Sequence, residues 1–176
     1  YEHSYAYPSL KSVFELKGLI YLTYEQLLTT ADQAGLTVKE RPLQKHDGLI
    51  RGNRIAIRKS IDTQAEKSCV LAENLITTTP LRQYPGTATD VNEPEAGISV
   101  PDFYGYNLRV GLIGIIKSYE ALCRNLHEMA EYLDVPKDYL IEVIDCYRSK
   151  YGQYVAVDNY MIYFVPQLAV MRIDVL

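Results

Sequence analysis

The chain of 176 residues has no tryptophan, three histidines and three cysteines, and each scarcity narrows the chemistry open to it. His3, His46 and His127 are far apart, and none has a second histidine four residues along. No helix can therefore present the paired histidines on which many catalytic zinc sites are built. Cys69, Cys123 and Cys146 form no C-x-x-C pair. Each sits in an apolar helical pattern, so buried free thiols in a reducing compartment are expected. There is no Gly-rich phosphate loop, because Gly105, Gly111 and Gly114 fall within or beside a helical pattern. No apolar run is long enough to cross a membrane and no signal-peptide pattern is present, so the expected location is the cytoplasm, without membrane attachment. A net charge of −4 argues against wholesale phosphate binding.

What the chain does contain is tyrosine, 16 in all, and an apolar share of 48%, enough for one domain with a substantial core. Tyrosine combines a large contact area with a polar tip, which suits either a core margin or a binding surface. Tyr104 and Tyr106, in the ring-rich run Phe103-Tyr104-Gly105-Tyr106, are candidate partner-binding residues. Charge is uneven. Lys39, Arg41, Lys45, Arg51, Arg54, Arg58 and Lys59 make an early region basic, and Asp62, Glu66, Glu73, Asp90, Glu93 and Glu95 make the next acidic. These are either solvated faces or a surface complementary to a protein partner, with Arg51, Arg54 and Arg58 the candidate contacts.

The pattern along the chain is α+β. Residues 24–34 show helical spacing and stop at Gly35. Leu36-Thr37-Val38 is a short strand, and Leu49 to Arg58 reads as a hairpin about the tight turn Gly52-Asn53. Asp62 or Thr63 caps the next helix, with Glu66 completing a capping box after Thr63, and Ala65, Cys69, Ala72 and Ile76 form its expected core stripe. Residues 77–100, with Pro80, Pro85, Pro94, Gly86 and Gly97, read as a long loop of the kind that often carries function. Pro101 or Asp102 opens a helix expected to run through Gly111 to about Cys123. Two further helices, 126–133 and 137–150, flank Asp134-Val135-Pro136 as a helix-turn-helix-like pair, and strands follow at 154–157, 161–164 and 168–171.

The helix from Thr63 to Thr77 carries the most specific signal. Glu73-Asn74-Leu75-Ile76-Thr77 occupies the place where a zinc protease has H-E-x-x-H, two histidines on one helix face and a glutamate general base between them. The surrounding blocks fall in a matching order: Leu22 to Leu28, Asp47 to Ile57, Glu66 to Glu73, Gly111 to Lys117, Cys123 to Val135 and Tyr147 to Gly152. Together they resemble the ImmA/IrrE family of metallopeptidases, in the version carried by phages and integrative elements. The resemblance runs from about Leu22 to the C-terminus and weakens between Asn74 and Asp102. It implies a zincin-like helical core with a small β-sheet or hairpin, then the helix-turn-helix-like pair and a C-terminal strand segment. The implied layout is a domain over residues 22–176, made of a metallopeptidase-like part (22–122), the helical pair (123–150) and the strands (151–176). Residues 1–21 lie outside the resemblance and open without an initiator Met; they are expected to be an extension, either native or added.

The resemblance also implies zinc, but the motif is degenerate here. Asn74 cannot accept a proton, Thr77 is a poor zinc ligand, and the family's downstream acidic ligand falls near Ile98, with Glu93, Glu95 or Asp102 as displaced candidates. No catalytic residue, metal or cofactor is therefore assigned, and Glu73 is expected to be a solvated carboxylate. Cys69 has no histidine nearby to act as its base. The second helix of the helix-turn-helix-like pair carries Asp138, Glu142 and Asp145 beside Lys137, so direct nucleic-acid binding is not expected. The implied function is that of a pseudoenzyme binding a protein target, either a repressor (an anti-repressor) or a host defence nuclease (an anti-CRISPR-type inhibitor), in a bacterial cytoplasm. The alternative is an active zinc endopeptidase that cleaves a helix-turn-helix repressor. The apolar run Leu19-Ile20-Tyr21-Leu22 suggests pairing across a homodimer.

Overall fold

A computed structural model describes residues 21–78 and 100–173, without the side chains of residues 100–102. The architecture is α+β: two small three-stranded sheets joined by helices. Helix α1 (Tyr24–Gln33) begins with a capping box. The Thr23 hydroxyl accepts from the Gln26 N–H at 3.4 Å, and the Gln26 side chain accepts from the Thr23 N–H at 2.8 Å. The helix ends at Gly35, whose φ of +73° is open to glycine at little cost.

The first sheet comprises β1 (Thr37–Arg41), β2 (Gly48–Arg51) and β3 (Arg54–Arg58) in the order β1-β3-β2. The expected hairpin is β2–β3, antiparallel, while β1 runs parallel to β3 on its other side and is longer than its apolar pattern suggested. Ile55 and Ile57 are buried beneath α1 and helix α2 (Gln64–Thr78), in a cluster with Leu27, Ala31, Leu71 and Leu75. Thr63 caps α2: its hydroxyl accepts from the Glu66 N–H at 3.1 Å and donates to the Glu66 carboxylate at 3.0 Å. The buried face of α2 is broader than the expected stripe. Ala65 is only half-buried, while Ser68, Leu71 and Leu75 join Cys69, Ala72 and Ile76. The helix is covered on two sides, by the first sheet with α1 and by helix α3 (Val100–Arg109), so two stripes merge.

The single helix expected up to Cys123 is broken. Val110 (φ −119°, ψ −60°) and Gly111 (φ +60°) interrupt it, and α4 runs over Gly111–Glu120. Asn125 caps α5 (Leu126–Leu133) by accepting from the His127 and Glu128 N–H groups at 2.9 and 3.0 Å. Asp134, at φ +52°, closes α5, and α6 (Lys137–Tyr151) follows Pro136. The antiparallel second sheet, β4 (Tyr154–Val157), β5 (Tyr160–Tyr163) and β6 (Ala169–Arg172), has the order β4-β5-β6, with the last two strands one residue from their expected places. The larger apolar cluster gathers Phe103, Ile115, Leu133, Leu140, Tyr147 and Phe164 from α3 to this sheet.

A charged group sits where these parts meet. Arg109, with none of its surface exposed, donates from Nε to the Ser68 hydroxyl at 2.5 Å and from Nη1 to the Leu22 carbonyl at 3.1 Å. Its Nη2 donates to the Asp134 carbonyl and lies 3.7 Å from the Asp134 carboxylate. The fork of guanidinium donors thus fastens the segment before α1, helix α2 and the α5–α6 turn to one point. Leu22 is buried and its N–H donates to the Leu108 carbonyl at 2.9 Å, while Tyr21 packs against Gly114. Both residues are engaged within the chain, and Tyr21 already belongs to the fold. Leu19, Ile20 and the remainder of the expected extension lie outside the described residues, as does most of the expected 77–100 loop, since α2 reaches Thr78 and α3 begins at Val100.

Candidate functional site

Helix α2 places Glu73, Asn74 and Thr77 in its last turns, between β2 and α3. The Asn74 amide donates back to the Val70 carbonyl at 2.7 Å, four residues earlier on the same helix. The β2 backbone passes directly over it: a Cβ on Gly48 would stand 2.1 Å from Asn74 Nδ2, so only glycine fits while the amide is there. The Thr77 hydroxyl donates to the Glu73 carbonyl at 3.1 Å and is exposed. Both polar side chains are thus turned onto their own helix, a local satisfaction open to short amide and hydroxyl groups.

Glu73 is half-buried, with its stem against α3. Gly105 of α3 packs so closely that a Cβ there would lie 3.1 Å from Glu73 Cγ and 3.3 Å from its Cα. Close by, Tyr139 is buried with its hydroxyl lacking a hydrogen-bond partner among the described residues. Burial, then the nearby Cys69 and Glu73, holds its ionisation well above the ordinary tyrosine value. Burial also pushes the Cys69 thiol up to about 12, so it packs as a small apolar group rather than serving as a nucleophile.

Among the described residues, the side chains around Glu73 do not form the donor set of zinc, the metal the resemblance implies. A zinc site needs about three side-chain ligands, and no group of three or more His, Cys, Asp or Glu able to hold a metal occurs among the described residues. His46 is exposed in the β1–β2 connection, and His127 faces solvent on α5 with Nε2 3.3 Å from Glu131. Glu93, Glu95 and Ile98 lie outside the described residues, as does the side chain of Asp102.

The proposed partner contacts divide into two groups. Tyr104 and Tyr106 are half-buried on α3. Tyr104 meets Phe103 edge-on at 5.6 Å, and Tyr106 meets Tyr139 edge-on at 5.2 Å with its hydroxyl 3.4 Å from the Glu142 carboxylate. Both rings are committed in part to the core. Arg51 and Arg54, by contrast, stand exposed and directly opposite each other at the ends of β2 and β3, while Arg58 pairs with Asp47. On α6 the exposed positions include Asp138, Ile141, Glu142 and Asp145, and the cation Arg148 is paired with Asp145.

A feature that periodicity did not indicate is a groove of about 730 Å³ between α5, α6 and the β5–β6 connection, lined by Leu126, Met129, Ile144, Phe164, Leu168 and Val170. It is assembled from residues distant in sequence, so only tertiary packing makes it. Among the described residues no helix is long and apolar enough to cross a membrane. Comparison of the chain with protein-family models, with curated proteins and with solved structures gives no match in any of the three.

Proposed function

We propose that the chain is a catalytically degenerate ImmA/IrrE-like protein of a phage or mobile element, and that it acts in the bacterial cytoplasm by binding a protein target. The target would be a repressor, which makes it an anti-repressor, or a host defence nuclease, which makes it an anti-CRISPR-type inhibitor. The observation that carries this reading is the state of the motif positions on α2. Asn74 stands where the family has its general base, has no proton-accepting nitrogen or carboxylate, and is held between the Val70 carbonyl and the Gly48 backbone. A group fixed in that way cannot activate a water. On this reading the zincin-like scaffold persists as a frame and its surface does the work.

The test is metal analysis of the untreated protein, followed by incubation with a helix-turn-helix repressor and with a defence nuclease. The expected result is substoichiometric zinc, an intact target and a stable complex on size exclusion. About one zinc per chain, with target cleavage abolished by Glu73→Ala, would establish the endopeptidase instead. Absence of a complex with either target class would overturn the binding reading.

A further inference from the structure

The register of the first sheet orders its charges into rows. Cross-strand partners point to the same side of a sheet, and successive residues along a strand to opposite sides. Ile55 and Ile57 face the core, so Arg54, Ala56 and Arg58 take the outward face. Arg54 stands opposite both Arg51 and Thr37; Ala56 stands opposite Leu49 and Lys39; Arg58 stands opposite Arg41 and pairs with Asp47. Two cationic rows therefore flank a middle row that holds Leu49, 49% exposed, and the stem of Lys39. Among the described residues no carboxylate pairs with Lys39, Arg41, Arg51 or Arg54.

We propose that this face docks an acidic amphipathic helix of a protein partner, carboxylates on the outer rows and an apolar side chain over Leu49. The proposal rests on the reading that the chain acts by binding a protein, and adds the chemistry of the partner. Successive rows are two residues apart along a strand, about 6.7 Å, which puts the outer rows about 13 Å from each other. Along an α-helix four residues rise about 6 Å and eight about 12 Å. Acid, apolar and acid side chains on successive turns therefore match the three rows. Arginine forks pair with carboxylates in bidentate geometry, and arginine is among the residues enriched at interface hot spots. Nucleic acid fits less well. The strand positions of this face carry no aromatic ring on which a base could stack. A phosphate backbone would also leave Leu49 without a role.

The test uses the full chain and a synthetic helical peptide with Glu, Leu and Glu on successive turns, measured by fluorescence anisotropy. A Leu→Ser version of the peptide and a short DNA duplex serve as competing probes. The expected result is binding to the Leu peptide that weakens at least about tenfold in Leu49→Ser and in the double variant R51E/R54E. These side chains are exposed, and unchanged thermal melts confirm that both variants fold. Equal binding to the Ser peptide, tighter binding to the duplex, or affinity unmoved by the substitutions overturns the proposal. If the peptide does not bind but a target complex survives R51E/R54E, the docking face is wrong and the binding function stands. If the peptide binds through Leu49 while the chain cleaves its target, the docking face stands and the pseudoenzyme reading falls.

Discussion

Arg109→Ala is the substitution whose cost the structure defines best. The guanidinium is fully buried and donates to the Ser68 hydroxyl, the Leu22 carbonyl and the Asp134 carbonyl. Hydrogen bonds from a charged donor contribute roughly 1.5–3 kcal/mol each, but their removal is not additive. The Asp134 carboxylate adds little, because that side chain is 62% exposed and keeps its water. Truncation leaves two buried carbonyls without these donors, at about 1–3 kcal/mol each, and an empty space at the junction, so the net loss should be about 3–5 kcal/mol. Against a typical domain stability of about 5–15 kcal/mol that is a large share. Urea unfolding followed by circular dichroism measures it, with an unchanged slope showing that the unfolded state is the same. Arg109→Lys keeps the charge but not the planar fork, and should fall between the two. A loss below about 1 kcal/mol for the alanine variant would mean that water replaces the fork and that Arg109 is not the fastening described.

Two further outcomes follow from packing and from burial. Gly48→Ala should cost about 1 kcal/mol by pushing the Asn74 amide off the Val70 carbonyl, and should cost almost nothing in an Asn74→Ala background; a double-mutant cycle in urea checks the coupling. Stability should fall in alkali. Burial raises the Cys69 thiol and the Tyr151 phenol each to about 12 in the native state, against ordinary values of 9.0 and 10.0. Above about pH 9 the unfolded chain therefore releases protons that the native chain retains, which favours unfolding by up to about 1.4 kcal/mol per pH unit for each group. Urea midpoints that stay level between about pH 8 and about pH 10.5 would contradict this.

Much of the fold is written in local signals. The cap at Thr63, the turn at Gly52 and the stop at Gly35 act within a few residues, so helix and hairpin positions can be read from neighbours in the chain. What escapes is whatever depends on distant partners. Gly111 lies in an apolar run that would continue a helix, and the break at Val110 and Gly111 shows only in their backbone angles. Arg109 looks like any surface arginine until Leu22 and Asp134 arrive around it. The residue types at Glu73, Asn74 and Thr77 on α2 are legible in the sequence, but the contact between Asn74 and Gly48 is not, because 26 residues and a sheet register separate them. Tyr104 and Tyr106 were ambiguous for the reason tyrosine always is: a ring that buries and a hydroxyl that does not need to.

The interlock of Gly48 with Asn74 also bears on how readily the site could change its chemistry. A glutamate at position 74 would be one methylene longer than asparagine and would carry a charge toward a backbone already in contact. It could keep that direction only if β2 moved away, or keep β2 in place only by swinging out of the cleft. A working base at this position therefore needs a second change in the strand, and neither change helps without the other.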